Sequence, residues 1–185
     1  MNEHFKQLLK HLLYYIIVLI VASFLVMEYQ NYTAIKQQEA AHRIEQQRFK
    51  AKEANCLKNA LWYEAGNQSL HGVMAVASVI DNRKNHENYP DTYCGVIHQH
   101  KQFSYTLLKK PDVEQVMHKF QPMETVAYQK VEYVADEMIY GKFEPVLDRS
   151  VRFYATRAVK NYWTKTKVVA ARIGAHVFYK DKEKK

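Results

Sequence analysis

Apolar residues crowd together from Leu12 to Met27, thin out, return at helical spacing, and finally alternate near the C-terminus. The first run, "LLYYIIVLIVASFLVM", has sixteen residues without a charge. It falls a little short of the roughly 20 residues that span a hydrocarbon core. Leu8 and Leu9 extend it, and Lys10 can snorkel to the headgroups. Tyr14 and Tyr15 at one end and Tyr29 and Tyr32 beyond the other are suited to the interfaces, and Lys6 and Lys10 lie in a short N-terminal tail. The pattern predicts an uncleaved signal anchor over 12–27, with the tail 1–11 in the cytoplasm and the rest exported. A cleaved signal peptide shares the charged start and apolar core, but the small residues Ala22 and Ser23 are followed at once by Phe24, Leu25, Val26 and Met27, a poor cleavage context.

The segment 28–55 is rich in Gln, Glu, Lys and Ala and lacks Gly and Pro. It reads as a helical stalk or linker without a sustained heptad, reaching up to roughly 40 Å if fully helical. Apolar density rises at Cys56. A helix is predicted from Ala54 to about Ala65, stopped by Gly66, and a second follows Ser69 as N-cap, with Val73, Val76, Ala77 and Ile80 on one face. From Asn85 to Pro111 the chain is turn-rich, yet Tyr89, Tyr93, Phe103 and Tyr105 give it apolar surface to bury. A further helix is predicted from about Pro122 to Tyr140, with Gly141 as its stop. "VRFYA" and "RIGAHVFYK" then alternate and are rich in β-branched and aromatic residues, which predicts a small sheet or hairpin around Gly174. The expected class is α+β, mainly helical.

One position breaks the pattern. Leu57, Leu61 and Glu64 share a helical face, so a carboxylate stands on an apolar stripe. Desolvation there raises a carboxyl pKa and lets it hold a proton near neutral pH, as a general acid requires. The structural alternative is an acid at the edge of the stripe reaching solvent or a Lys.

Charge and cysteines narrow the setting. The 185 residues carry 27 basic and 19 acidic side chains, a net charge of +8. After Asn55, 20 basic and 14 acidic residues remain. A basic exported domain suits anionic wall polymers, whereas nucleic acid is rarely met outside the cell. Cys56 and Cys94 form an even pair in a disulfide-permitting compartment, so a bridge between them is expected. Cys94 with His98 or His100 as a cysteine peptidase would need a reduced thiol there. "HQH" and His86 lack the HExxH or paired CxxC that would mark zinc, so neither metal nor cofactor is expected.

The order of "WYEAGNQSLHGVMAVASVIDNR", "YPDTYCGVIHQHKQFS" and "RIGAHVFY" resembles the spore cortex-lytic enzyme (SleB-like) family of cell-wall hydrolases, which also occurs among bacteriophage lysis proteins. The resemblance covers roughly Cys56 to Lys180 and implies a reduced lysozyme-like fold. It implies that Glu64, in the "EA" dipeptide, is the catalytic acid, and that the "QFS" loop of Gln102 to Ser104 lies along a sugar-binding groove. Tyr63, Asn82, Gln102, Tyr154 and His176 are the candidates for holding sugar hydroxyls or stabilising an oxocarbenium-like state, each aromatic having core packing as its alternative. Two departures stand out: Gln68 replaces the second acid of "EARGE", and Ala155 and Thr156 replace a His-Asn-like pair.

The expected organisation is then a tail (1–11), anchor (12–27), stalk (28–55), peptidoglycan-cleaving domain (56–180) and charged tail (181–185). The expected activity is cleavage of the MurNAc–GlcNAc bond of peptidoglycan glycan strands. A lytic transglycosylase needs one carboxylate, whereas hydrolysis ordinarily uses two, for which Asp81, Asp91 and Asp112 are available. A non-catalytic wall-binding or scaffold protein and an amidase or peptidase are the alternatives. Such an anchored chain suits a phage endolysin or a bacterial wall-remodelling enzyme.

Overall fold

The computed structural model describes residues 3–158 and 162–182. The expected tails extend at both ends beyond these residues. The chain divides into two units, Met1–Arg48 and Phe49–Lys185.

In the first unit the described residues are all helical, part of α1 (Glu3–Ala65). Its apolar stretch is exposed along its length, and an 18-residue window reaches a mean hydropathy of 2.2, long and apolar enough to cross a membrane. Helicity also runs through the expected stalk.

The second unit is built around α2 (Leu70–Lys84), which begins at Ser69, whose hydroxyl accepts the Gly72 N–H. From Gly72 to Arg83 nearly every residue of α2 is buried, so it is a central core helix rather than a one-faced surface helix. Against it pack α6 (Pro122–Ile139), through Val131, Val134, Ala135 and Met138, and the last turns of α1, through Leu57, Ala60 and Leu61. Pro122 sits in the first turn of α6, and Glu124 accepts the Gln121 N–H over 2.8 Å. Gly141 ends the helix in the left-handed region, φ +73°.

The turn-rich stretch after α2 contains α3 (Tyr93–Ile97) and α4 (Ser104–Leu107), and α5 (Val113–Val116) follows it. Their aromatic residues supply the burial: Phe103 is fully enclosed, and Tyr93 and Tyr105 are buried. The expected bridge is present, with Cys56 on α1 bonded to Cys94 on α3 and their Cα atoms 5.3 Å apart. Beside it the buried Glu53 accepts the Tyr93 N–H over 2.6 Å, fastening the first turn of α3 to α1.

The alternating C-terminal segments form an antiparallel sheet of β1 (Val151–Thr156), β2 (Lys167–Ile173) and β3 (His176–Asp181), in the order β1-β3-β2. Gly174, at φ +53°, turns β2 into β3, while β1 joins from a distance to make a sheet of the predicted hairpin. Tyr154 lies opposite Phe178 and Thr156 opposite His176. Phe153, Trp163 and Tyr179 form a separate aromatic cluster. The mainly helical α+β class read from the sequence is the class observed.

Candidate active site

Glu64 stands in the last turn of α1, one residue before its end. Leu57 and Leu61 on its stripe are fully buried, and Glu64 is partly buried. Its Oε2 accepts the Tyr154 hydroxyl over 3.0 Å, and the carboxylate also accepts the backbone N–H of Ser104. Burial raises its pKa above the ordinary carboxylate value; the Tyr154 bond, the Ser104 N–H and the charge of Arg83 pull the other way without reversing the shift. The carboxyl is thus biased toward its protonated form yet equipped to hold the charge after donating the proton.

Each partner is placed by a different element. Tyr154 comes from β1, whose start is fixed by the end of α2. Asn82 Nδ2 donates to the carbonyls of Asp148 and Val151 over 2.8 and 2.9 Å, and Arg83 Nε donates to the Arg152 carbonyl over 2.8 Å. The enclosed Phe103 ring anchors the "QFS" loop, leaving Ser104 at the start of α4 to present its N–H to Glu64. Tyr154 is half-buried, and its hydroxyl pKa is driven well above the ordinary value by desolvation and by the Glu64 charge, so it remains a donor. The His176 ring meets Tyr154 edge-on at 5.4 Å. Two buried atoms in this neighbourhood, Arg83 Nη1 and His176 Nδ1, have no hydrogen-bond partner among the described residues.

Two clefts meet at Glu64. One, of about 770 Å³, is walled by Trp62, Tyr63, Met123, Val126, Lys130 and His176. The other, of about 860 Å³, is walled by Arg83, Lys101, Gln102, Phe153, Trp163 and Lys167. Glu64 and Thr156 line both, so the acid lies where the two arms of a groove join. A polymer laid along both arms would present an internal bond to Glu64.

The residues picked from the sequence separate on this geometry. Gln102 is exposed in the second arm. Tyr63 lines the first arm, but its hydroxyl donates to the Pro111 carbonyl over 2.6 Å and its ring stacks on Tyr105. Asn82 is only 2% exposed; its Nδ2 holds the chain leading into β1, while its Oδ1 has no partner among the described residues, so it positions that strand. The Tyr154 hydroxyl donates to Glu64. His176 lines the first arm from a buried position, and burial lowers its pKa.

Arg83, Ser104 and Thr156 were not among those candidates. A single sequence gives no sign that a backbone N–H of Ser104 meets an acid forty residues earlier, because only the packing of Phe103 brings them together. Asp81 accepts the Tyr93 hydroxyl and Asp112 accepts the Asn55 and Asn59 amides. Neither these two nor Asp91 lines either arm. The other carboxylate there, Glu124, caps α6.

A sequence profile described as Cell Wall Hydrolase matches residues 67–179, more than half of the chain. The chain belongs to the Cell Wall Hydrolase family. As a member it is an enzyme acting on peptidoglycan. The family segment holds α2, the "QFS" loop and the sheet, and Glu64 stands just ahead of it. Among solved structures, the catalytic domain of the germination-specific lytic transglycosylase SleB from Bacillus anthracis is similar, with a TM-score of 0.50 and 22% identity over 69% of this chain and 93% of that one. The catalytic domain of the Bacillus cereus SleB protein gives a TM-score of 0.49 at 22% identity, over 69% and 89%. No curated protein sequence matches the chain. The likeness to the first of these structures places the fold as lysozyme-like, in agreement with the sequence reading.

Proposed function

We propose that this Cell Wall Hydrolase family member is a membrane-anchored lytic transglycosylase that cuts the bond between MurNAc and GlcNAc, with Glu64 acting first as acid and then as base. The observation that carries the reading is the protonation-biased carboxyl of Glu64 at the junction of the two arms, held by Tyr154. Glu64 gives its proton to the glycosidic oxygen as the C1–O bond breaks. The resulting carboxylate, stabilised by Tyr154 and Ser104, takes the proton of the same sugar's C6 hydroxyl as O6 closes on C1. The product is a 1,6-anhydro end, and no water is consumed.

Four features favour this over hydrolysis. Asp81, Asp91 and Asp112 stand outside the groove, Glu124 is occupied at a helix start, and Gln68 stands where the related pattern has its second acid. The solved SleB structure of similar fold is itself described as a lytic transglycosylase.

The proposed setting is a single-pass anchor over 12–27 in the bacterial cytoplasmic membrane, with the stalk 28–55 and the domain 56–180 on the periplasmic or outer side. The apolar helix, its neighbouring tyrosines and the disulfide support it. Fractionation of cells with external protease digestion tests the anchor: the domain should stay with membranes and be cut only from outside.

Mass analysis of purified peptidoglycan digested by the full chain in detergent micelles tests the reaction. Anhydro-MurNAc ends are expected. New reducing ends would mean hydrolysis, free stem peptides an amidase, and binding without release a scaffold role.

A further inference from the structure

The two arms of the groove differ in charge, and the difference has a chemical meaning for a glycan whose sugars alternate. In the second arm, Arg83 and Lys101 form no ion pair among the described residues. Lys167 adds a third cation, paired with Asp181 and set over the Phe153 ring at 3.9 Å. No acid other than Glu64 lines this arm. The first arm has one cation, Lys130, whose ammonium is bound to the Gln68 carbonyl over 2.6 Å, together with the acid Glu124 and the exposed apolar side chains Met123 and Val126.

Lys101 carries a second signal. Its backbone lies in the left-handed region, φ +62°, which is costly for a side chain bearing a Cβ and which glycine adopts freely. The loop nevertheless places a lysine there, exposed in the arm beside Gln102. In the same arm, Arg83 is a buried guanidinium with an unpartnered Nη1. A buried cation without a salt bridge and an exposed one on a strained backbone, lining one arm, make that arm attractive to anions.

Of the two sugars, GlcNAc is neutral, whereas the muramoyl residue carries a lactyl group and a peptide stem with free carboxylates. We infer that the arm lined by Arg83 and Lys101 receives the acidic, stem-bearing muramoyl residue, with Lys101 reading a stem carboxylate, and that the Met123 and Val126 arm receives GlcNAc. The half-buried Trp163 and Phe153 in the wall of the basic arm offer apolar surface to the sugar ring. This inference rests on the proposed cleavage and adds to it the direction in which the strand lies and the group that selects it.

The test uses the full chain in detergent micelles and soluble muropeptide tetrasaccharides of two kinds, one with free stem carboxylates and one with those carboxylates converted to amides. The wild type should cut the free-acid substrate with a KM about fivefold lower, and this preference should fade as salt is added. Lys101→Gly, which suits the backbone, should melt no lower than wild type and lose the preference through a raised KM for the free-acid substrate. Lys101→Arg should retain the preference. Equal KM values for the two substrates with wild type, or a preference surviving in Lys101→Gly, would overturn the inference while leaving the reaction intact. Failure of the wild type to cut either substrate would overturn the proposed reaction and the inference with it.

Discussion

Tyr154 and Glu64, ninety residues apart in the chain, meet in a hydrogen bond of 3.0 Å. The phenol donates to Oε2, and burial keeps it from ionising. A carboxyl raised by desolvation and braced by a neutral donor can release a proton and then bear the negative charge.

Replacing the acid separates chemistry from fold. Glu64→Gln should lower anhydro-product release by about 10²–10⁴-fold while wall binding persists. The fold binds a proton at Glu64 more tightly than the unfolded chain does, so its stabilising effect is complete below the ordinary carboxylate pKa and is lost as pH rises through the raised folded value. Glu64→Gln should therefore melt above wild type at neutral pH, an advantage that disappears in acid. Thermal melts across pH measure it, and unchanged product release would remove Glu64 from the site.

Removing the phenol hydroxyl should act on the same carboxyl. The Tyr154 bond holds the Glu64 pKa down against burial, so Tyr154→Phe should move the alkaline limb of the kcat/KM profile to higher pH. It should also cut kcat by roughly 10–100-fold, the worth of a hydrogen bond to a charged group. A profile that keeps its limb would assign Tyr154 to packing alone.

The Cys56–Cys94 bridge closes a loop of sequence separation 38 and ties α1 to α3. Loop-closure entropy makes such a link worth about 3–4 kcal/mol. The double variant Cys56→Ser, Cys94→Ser should lose about that much in urea unfolding of the second unit's transition. Loss of activity should accompany it at temperatures where wild type still works, because the loop presenting Ser104 follows α3.

Gln68 links the α1–α2 turn to the β hairpin: its Oε1 accepts the Ala175 N–H over 2.9 Å, and Lys130 donates to its carbonyl. A Cβ on Gly174 would run into that Oε1, at a backbone φ of +53°. Gly174→Ala should cost about 1–3 kcal/mol, measured by chemical denaturation, and should break the Gln68 link. Wild-type stability in this variant would show that the hairpin is held elsewhere.

Much of the fold was legible in the chain because local physics wrote it there. The uncharged run from Leu12 to Met27, the Ser69 cap, the Val73 to Ile80 face, Pro122 and Gly141 each leave a mark at short range. Alternation gave the strands but not the order β1-β3-β2, since pairing β1 with β3 rather than with β2 depends on long-range packing. The short helices α3 to α5 were hidden because segments of five residues or fewer have no periodicity to read.

The site divides along the same line. Sequence alone put an acid on an apolar stripe beside Leu57 and Leu61, because helical spacing is a local rule. The tertiary structure decided what surrounds that acid. It brought Tyr154 from β1, Ser104 from the loop and Arg83 from α2, and it turned Asn82 into a strand anchor. It also joined two arms at Glu64 and gave them different charge. Such relationships depend on contacts between residues far apart in the chain, whose distances only the packed core fixes.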